Sequence, residues 1–350
     1  MEIEKPNWKT TFKDFPPIPK PKQWSNNTTE EQIITQKLIS GESISEDERK
    51  TLKICIDYYN QLLPRFKSLD YTKLNINEQK ELIVFIDYVF NYITLSSNEL
   101  YVSKLYRLVI NEDVLGKKEK IREQKYLSYP PIEIVQSLGK YNRANTPDYN
   151  LFYSTDSIDN ALLEIKPQKY SVVTIGVWIP KKGTEVTMTN FPVSHNPYLF
   201  RVNPHAARGY FALEELKRKQ KDPLLSDFMK AMFTFISEEF AKPVTHHLEY
   251  LISSRFADKI LNRDQDPNDK FNYHCIIYPS VGNLYQVDNV AIKPDFFDEN
   301  FKLEKVIEFE ITQPHYDKTP PRNDQEEITV VEYKDREETD WIENNGYIVW

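Results

Sequence analysis

Three residues whose side chains could bind and cleave a dinucleotide follow one another at short intervals in the middle of the chain. Arg143, Tyr153 and Glu164 are ten and eleven residues apart. Arginine offers a planar fork of donors for phosphate, tyrosine offers a flat ring for stacking, and a carboxylate can stabilise a developing ribosyl cation. The spacing and the residue types together predict a site that holds a dinucleotide and breaks its N-glycosidic bond.

The scarcity of glycine excludes the common nucleotide-binding loops. The chain has 8 glycines in 350 residues, and no two lie close enough to form a Gly-x-Gly-x-x-Gly turn or a Walker-type phosphate loop. A Rossmann or P-loop site is therefore excluded. If the chain binds a nucleotide, side chains must hold the phosphates, and arginine is the residue best suited to that task.

Composition limits the partners and the compartment. A net charge of -8 argues against nucleic acid as the main partner, because phosphate backbones are bound by clustered Lys and Arg. The two cysteines, Cys55 and Cys275, form neither a disulfide framework nor a Cys-x-x-Cys pair, which suits a reducing cytosol. The first residues lack the apolar core of a signal peptide, and no uncharged run of about 18 residues could span a bilayer. We expect a soluble cytoplasmic protein that has no membrane partner.

No metal site is predicted. The histidines of His246-His247 and of His274-Cys275 lack the spacing of metal ligands, so core or surface roles are favoured for them.

The chain is predicted to have four parts. Residues 1–27 are rich in proline and predict an extended arm. Residues 28–98 predict a helical accessory domain, in which Ser45-x-x-Glu48 is a capping box and a second helix runs from about 77 to 95. Residues 99–300 predict a catalytic domain, and residues 301–350 a C-terminal β extension.

Within the catalytic part, apolar runs predict short strands that carry or precede the candidate residues. These strands cover about 105–110, 151–153, 172–179 and 273–278, and a short helix carries Glu164. Residues 181–221 are predicted to be rich in loops, with helices at 223–240 and about 245–262. The acidic run from Glu326 to Asp340 is predicted to be a solvated face. The fold class is therefore α+β with a mixed sheet.

Five features in this order resemble the RES domain family, which is named after an arginine, a glutamate and a serine. They are Arg107 within a short strand, the Arg143 loop, Tyr153, Glu164 followed by Lys166-Pro167, and Ser280 after an apolar strand. The resemblance covers roughly residues 100 to 300. Helices before residue 100 and strands after residue 300 are departures from the small members of that family.

The resemblance implies a fold similar to the ADP-ribosyltransferase toxins and degradation of NAD⁺ by phosphorolysis or hydrolysis. Arg107 and Arg143 match the arginines that grip NAD⁺, and Tyr153 matches the aromatic residue near nicotinamide. Glu164 matches the catalytic glutamate, and Ser280 matches the family serine. NAD⁺ is then a substrate, with inorganic phosphate as an optional co-substrate and no resident cofactor. A bacterial toxin–antitoxin pair implies an antitoxin or another regulatory protein as partner, and a homo-oligomer is compatible with the sequence.

Three alternatives stay open. The same residues could transfer ADP-ribose to a protein target. Asp148, Glu164 and Lys166 imitate the acidic-acidic-lysine pattern of Mg²⁺-dependent nucleases, although that pattern leaves Arg107, Arg143 and Tyr153 unexplained. A non-catalytic NAD⁺-binding module is the least favoured, because Glu164 would add little to ground-state binding.

Overall fold

The computed structural model describes most of the chain. The described residues are 33–34, 37–38, 42–90, 98–192, 199–219, 223–262, 273–316 and 330–350. The arm predicted for residues 1–27 lies outside them. The α-helices are α1 (Glu46–Ser68), α2 (Ile76–Phe90), α3 (Asn111–Leu115), α4 (Ile132–Leu138), α5 (Ile158–Ile165), α6 (Pro204–Lys219), α7 (Pro223–Ala241), α8 (Leu251–Leu261) and α9 (Pro294–Asn300). The strands are β1 (Asn98–Val102), β2 (Leu105–Ile110), β3 (Phe152–Ser154), β4 (Val172–Pro180), β5 (Val186–Pro192), β6 (Cys275–Pro279), β7 (Asp288–Ile292), β8 (Phe301–Pro314) and β9 (Val331–Thr339).

The described residues form helices and two largely antiparallel sheets, so the predicted α+β class is confirmed. The chain divides into two compact units. The helical unit contains Met1–Ser96, Lys140–Thr146 and Val193–Arg263. The sheet unit contains Ser97–Gly139, Pro147–Pro192 and Asp264–Trp350. This division differs from the predicted one, because α6, α7 and α8, which lie within the range 99–300, group with α1 and α2.

Helix α1 begins where the sequence predicts. The Glu48 backbone N–H donates to Ser45 Oγ at 3.2 Å, and the Ser45 N–H donates to Glu48 Oε2 at 2.7 Å, so both halves of the predicted capping box form. Aromatic contacts explain why the later helices join this unit: Phe66 of α1 lies 6.1 Å from Phe235 of α7, and Phe90 of α2 lies 5.2 Å from Phe256 of α8 (ring centroids). Among the described residues, none of the helices has the length and apolarity needed to cross a membrane.

Residues 181–221, predicted to be rich in loops, contain β5 and α6, two elements that the prediction lacks. Strand β5 pairs with β1 in the antiparallel sense and with β6 in the parallel sense. Helix α6 begins at Pro204, directly after Asn203, whose Oδ1 accepts a hydrogen bond from the Ala206 N–H at 2.8 Å. An Asn-Pro pair at a helix start is a recognisable N-terminal sequence pattern.

The sheet unit is built on two sheets. The five-stranded sheet has the order β1-β5-β6-β7-β3, and the four-stranded sheet has the order β2-β4-β8-β9. Side chains from both sheets meet in one core, where the Phe152 ring stacks on Phe297 at 3.8 Å and meets Trp178 edge-on at 5.7 Å. A second cluster covers the other face of the four-stranded sheet and includes Ala161 and Leu162 of α5.

The residues after 300 belong to the sheet unit and are not a separate extension. Strand β8 lies between β4 and β9 in the four-stranded sheet. Most of the described part of the acidic run lies in β9, and its side chains from Glu332 to Glu338 are exposed, as predicted. Strand β9 begins at Val331. The last residues return to the core, where Ile348 is fully buried.

The buried position of Ile348 yields a stability prediction. Ile348→Ala should lower the free energy of unfolding by about 2–5 kcal/mol, because it leaves a cavity in the core shared by the two sheets. Trp341→Ala is the control, since the Trp341 side chain is 65% exposed and its loss should change stability by less than about 0.5 kcal/mol. Urea unfolding measures both variants, and equal effects would contradict the assignment of the C-terminal segment to the core.

Candidate functional site

The guanidinium of Arg107 lies at the seam where the two sheets meet. Backbone hydrogen bonds between Tyr106 of β2 and Thr155, just beyond β3, join the sheets at 2.9 and 3.0 Å. Arg107 Nη1 donates to the Tyr153 carbonyl oxygen at 3.2 Å, and the guanidinium carbon lies 5.8 Å from the centre of the Phe152 ring. The predicted strand therefore places Arg107 beside Tyr153, although the arginine hydrogen bonds to the tyrosine backbone.

Arg107 is a cation whose charge is incompletely compensated. Burial lowers the pKa of its guanidinium from the usual 12.5 to about 10, so the group stays charged at neutral pH. Its Nε is buried and has no hydrogen-bond partner among the described residues. No ion pair to Arg107 occurs within the described part of the chain. A buried cation that lacks a counter-ion is costly, so this position suits an anionic ligand.

Helix α5 presents Glu164 at its last turn. Ser157 Oγ accepts a hydrogen bond from the Asn160 N–H at 3.2 Å and begins the helix. Lys166 adopts φ 51° and ends it. Because Ala161 and Leu162 are buried against the four-stranded sheet, the helix is fixed in place, and Glu164 is partly buried.

Glu164 and Ser280 form the central contact of the site. Ser280 Oγ donates a hydrogen bond to Glu164 Oε2. The same Oγ accepts hydrogen bonds from Asn283 Nδ2 at 2.8 Å and from the Asn283 backbone N–H at 3.2 Å. Asn283 thus fixes the hydroxyl as a donor to the carboxylate. Within the described residues, Glu164 Oε1 has no hydrogen bond and can accept one from a ligand.

The turn that follows β6, here called the serine loop (residues 280–287), is closely fitted against Glu164. The Ser280 N–H donates to the Val287 carbonyl at 2.8 Å, and the Tyr285 N–H donates to the Ser280 carbonyl at 2.9 Å. Leu284 and Tyr285 have positive φ values of 51° and 67°, which side-chain-bearing residues seldom adopt. The loop is therefore held in a conformation that the surrounding contacts must stabilise.

Tyr153 and Ser280 share one face of the five-stranded sheet. Tyr153 of β3 pairs with Ala291 of β7, which pairs with Ile276 of β6. Paired residues point to the same face, and residues two apart along a strand do too, so Ile276 and Tyr278 lie on the Tyr153 side. Ser280 lies one residue past β6, and the hydrogen bond from its N–H to the Val287 carbonyl continues the pairing with the β7 side of the ladder, so Ser280 follows Tyr278 on that side. Tyr153 is partly buried and Ser280 is fully buried.

Arg143 lies in the helical unit, whereas the other four predicted site residues lie in the sheet unit. Its Nη1 donates to the carbonyl oxygens of Phe240 and, at 3.1 Å, Lys242. Its guanidinium carbon lies 4.9 Å from the centre of the Tyr250 ring. Arg143 thus ties the C-terminal end of α7 to the 3-10 helix His247–Tyr250, and its predicted role in binding NAD⁺ stays a prediction.

The residues of the nuclease alternative and of the histidine pairs are placed as follows. Asp148 and Lys166 are exposed. His274 Nδ1 accepts a hydrogen bond from the Thr189 N–H at 3.0 Å, and Cys275 is buried in the core. The described part of the chain has no group of three or more His, Cys, Asp or Glu residues that could hold a metal ion.

Two residues of the site are missing from the sequence prediction. Gly282 lies against Glu164, and Asn283 orients Ser280. Both follow Ser280 within three residues, and such a Ser-x-Gly-Asn sequence is typical of a tight turn. That pattern indicates a turn but does not indicate that its side chains reach α5.

Comparison with protein-family models, curated proteins and solved structures finds no match to this chain.

The close fit of the serine loop yields a prediction. A methyl group at position 282 would lie 2.5 Å from the Leu163 carbonyl oxygen and 2.9 Å from Glu164 Cα, so Gly282→Ala must move the loop or the end of α5. We expect it to cost about 1–3 kcal/mol of stability. Leu284→Ala in the same loop should cost less than about 0.5 kcal/mol, because the Leu284 side chain is 56% exposed. Thermal unfolding of both variants checks this, and an unchanged Gly282→Ala melting curve would contradict the packing described.

The contacts of Arg143 yield a second prediction. Arg143→Lys keeps the charge but loses the guanidinium fork, so it should leave a buried carbonyl unsatisfied and lower the free energy of unfolding by about 1–3 kcal/mol. Arg218→Lys is the control, since Arg218 is exposed on α6 in the same unit. Unchanged stability together with weaker NAD⁺ binding would instead favour the predicted phosphate-binding role.

Proposed function

We propose that the sheet unit binds NAD⁺ and cleaves the bond between nicotinamide and ribose, as the RES-like residues predict. The observation that carries this proposal is the state of Glu164. One of its oxygens is hydrogen bonded to Ser280, and no described residue hydrogen bonds to the other. A carboxylate that is fixed in this way and partly withdrawn from water suits the stabilisation of a developing cation.

The reaction needs little more than such a carboxylate. In NAD⁺ the pyridine ring is cationic, and when the C1–N bond breaks its electron pair moves to the ring nitrogen, so nicotinamide leaves as a neutral molecule. No general acid is required, unlike the paired acids of ordinary glycosidases. Positive charge develops on the ribose carbon, where Glu164 stabilises it. An oxygen of water or phosphate then bonds to that carbon, and water releases one proton on doing so.

Ser280 is proposed to act through Glu164. Its hydroxyl donates to Oε2 and is itself held by Asn283, so the carboxylate has a fixed direction before substrate arrives. Preorganisation of this kind avoids the free-energy cost of reorienting the charge during the reaction. Glu164 Oε1 is then the acceptor for a ribose hydroxyl.

Arg107 and Tyr153 are proposed to hold the substrate. The guanidinium of Arg107 has a buried Nε with no hydrogen-bond partner among the described residues, so it can donate to a phosphate of NAD⁺. The ring of Tyr153 suits stacking on nicotinamide, worth about 0.5–1.5 kcal/mol beyond the buried area.

The acceptor of the ADP-ribosyl group defines the reaction class. Water gives ADP-ribose, phosphate gives its 1-phosphate, and a protein side chain gives a modified target. We propose the first two, in a bacterial cytoplasmic toxin or defence effector whose NAD⁺ consumption slows growth and whose partner is an antitoxin or another regulatory protein. Release of products from NAD⁺ with and without phosphate, identified by mass, distinguishes the acceptors.

Glu164→Gln is the decisive variant for this proposal. The amide keeps the shape of the side chain and removes its charge, so NAD⁺ cleavage should fall by at least about tenfold, equivalent to about 1.4 kcal/mol of barrier, while the melting temperature changes little. Glu133→Gln makes the same charge change at an exposed position on α4 and should leave the rate unchanged. Nicotinamide release measures both.

The same preparation tests the nuclease alternative. NAD⁺ cleavage without a metal should continue in excess EDTA. EDTA-sensitive cutting of plasmid DNA that is lost in Asp148→Ala and Lys166→Ala, with NAD⁺ left intact, would overturn the proposal, because a Mg²⁺-dependent nuclease acts only through its bound cation.

A further inference from the structure

The side-chain amide nitrogen of Asn289 lacks a hydrogen-bond acceptor among the described residues. Asn289 lies in β7, and 4% of its surface is exposed. Its Nδ2 is buried. Most buried side-chain polar atoms in proteins are hydrogen bonded, so each exception calls for an explanation.

The sheet register places Asn289 between two residues of the proposed site. Asn289 pairs with Tyr278 of β6. Ser280 follows Tyr278 by two residues, just past the end of β6, where its N–H donates to the Val287 carbonyl and continues the same ladder. On the other side of Asn289 along β7 is Ala291, which pairs with Tyr153. Two residues along a strand span about 6.6 Å, so the Asn289 row lies about that distance from the Tyr153 row and about the same from the Ser280 row.

The neighbouring residue provides a contrast on the same strand. Val290 points to the opposite face, where it is buried in the core shared by the two sheets. Asn289 is thus the polar residue of β7 that faces the side of Tyr153 and Ser280. A core position would be better filled by an apolar side chain, because an unsatisfied buried amide lowers stability.

We infer that Asn289 is a substrate-binding residue whose Nδ2 donates a hydrogen bond to an acceptor oxygen on the nicotinamide riboside half of NAD⁺. This inference rests on the proposed function. It follows from the position of Asn289 between Tyr153, which stacks on the nicotinamide ring, and Ser280, which orients Glu164 at the ribose. The amide offers two donors, and a carboxamide or ribose oxygen satisfies one of them.

The test compares Asn289→Leu with Val290→Ala in the full chain. We expect Asn289→Leu to weaken binding of NAD⁺ and of nicotinamide mononucleotide by about tenfold or more. Binding of ADP, which lacks the nicotinamide riboside half, should be unchanged. Because Asn289→Leu removes an unsatisfied polar group, its melting temperature without ligand should equal or exceed that of the wild type. Val290→Ala should show the reverse: a lower melting temperature and unchanged affinity for NAD⁺, nicotinamide mononucleotide and ADP.

The outcomes separate this inference from the proposed function. A wild-type protein that does not bind NAD⁺ contradicts the proposed function and the inference with it. A wild-type protein that binds NAD⁺, with a variant that binds it equally well, contradicts the inference alone. Equal weakening of NAD⁺ and ADP would place Asn289 at the phosphates and also overturn it. If Asn289→Leu does not fold, Asn289→Ala replaces it, and a large loss of stability in Asn289→Ala would show that the amide has a structural partner.

Discussion

The hydrogen bond from Ser280 to Glu164 joins elements that pack on different sheets. Glu164 is carried by α5, which is buried against the four-stranded sheet, while Ser280 follows a strand of the five-stranded sheet. The glutamate can keep its place only if both sheets keep theirs. The seam between Tyr106 and Thr155, the core shared by the sheets and the absence of a side chain at Gly282 all serve that condition.

Local elements of this fold could be read from the sequence, because they depend on patterns that local physics imposes. The capping box before α1, the strand with Arg107 and the short helix with Glu164 are present as predicted. The predicted C-terminal β extension contains β9, but the bounds of β9 could not be read, because its run of exposed charges lacks the alternation that identifies strands. α6 was missed although Asn203-Pro204 indicated its start.

Contacts between distant parts of the chain could not be read in the same way. Ser280 and Glu164 are 116 residues apart, and only the sheet register brings them together. Arg143 shows the same dependence on long-range contacts. Its residue type suggests that it binds a phosphate, but its hydrogen bonds go to carbonyl oxygens at the end of α7. The place of Asn289 between Tyr153 and Ser280 likewise depends on strand pairing that one sequence does not determine.

The two units are interleaved along the chain, so neither is encoded by one continuous segment. The backbone passes from one unit to the other after Ser96, Gly139, Thr146, Pro192 and Arg263. A single truncation of the chain therefore cannot yield either unit by itself. A chain beginning at Ser97 would still contain α6, α7 and α8 but not the helices that bury Phe235 and Phe256. During synthesis the helical unit cannot complete its core until residue 261 has left the ribosome, when five of the nine described strands of the sheet unit have already emerged.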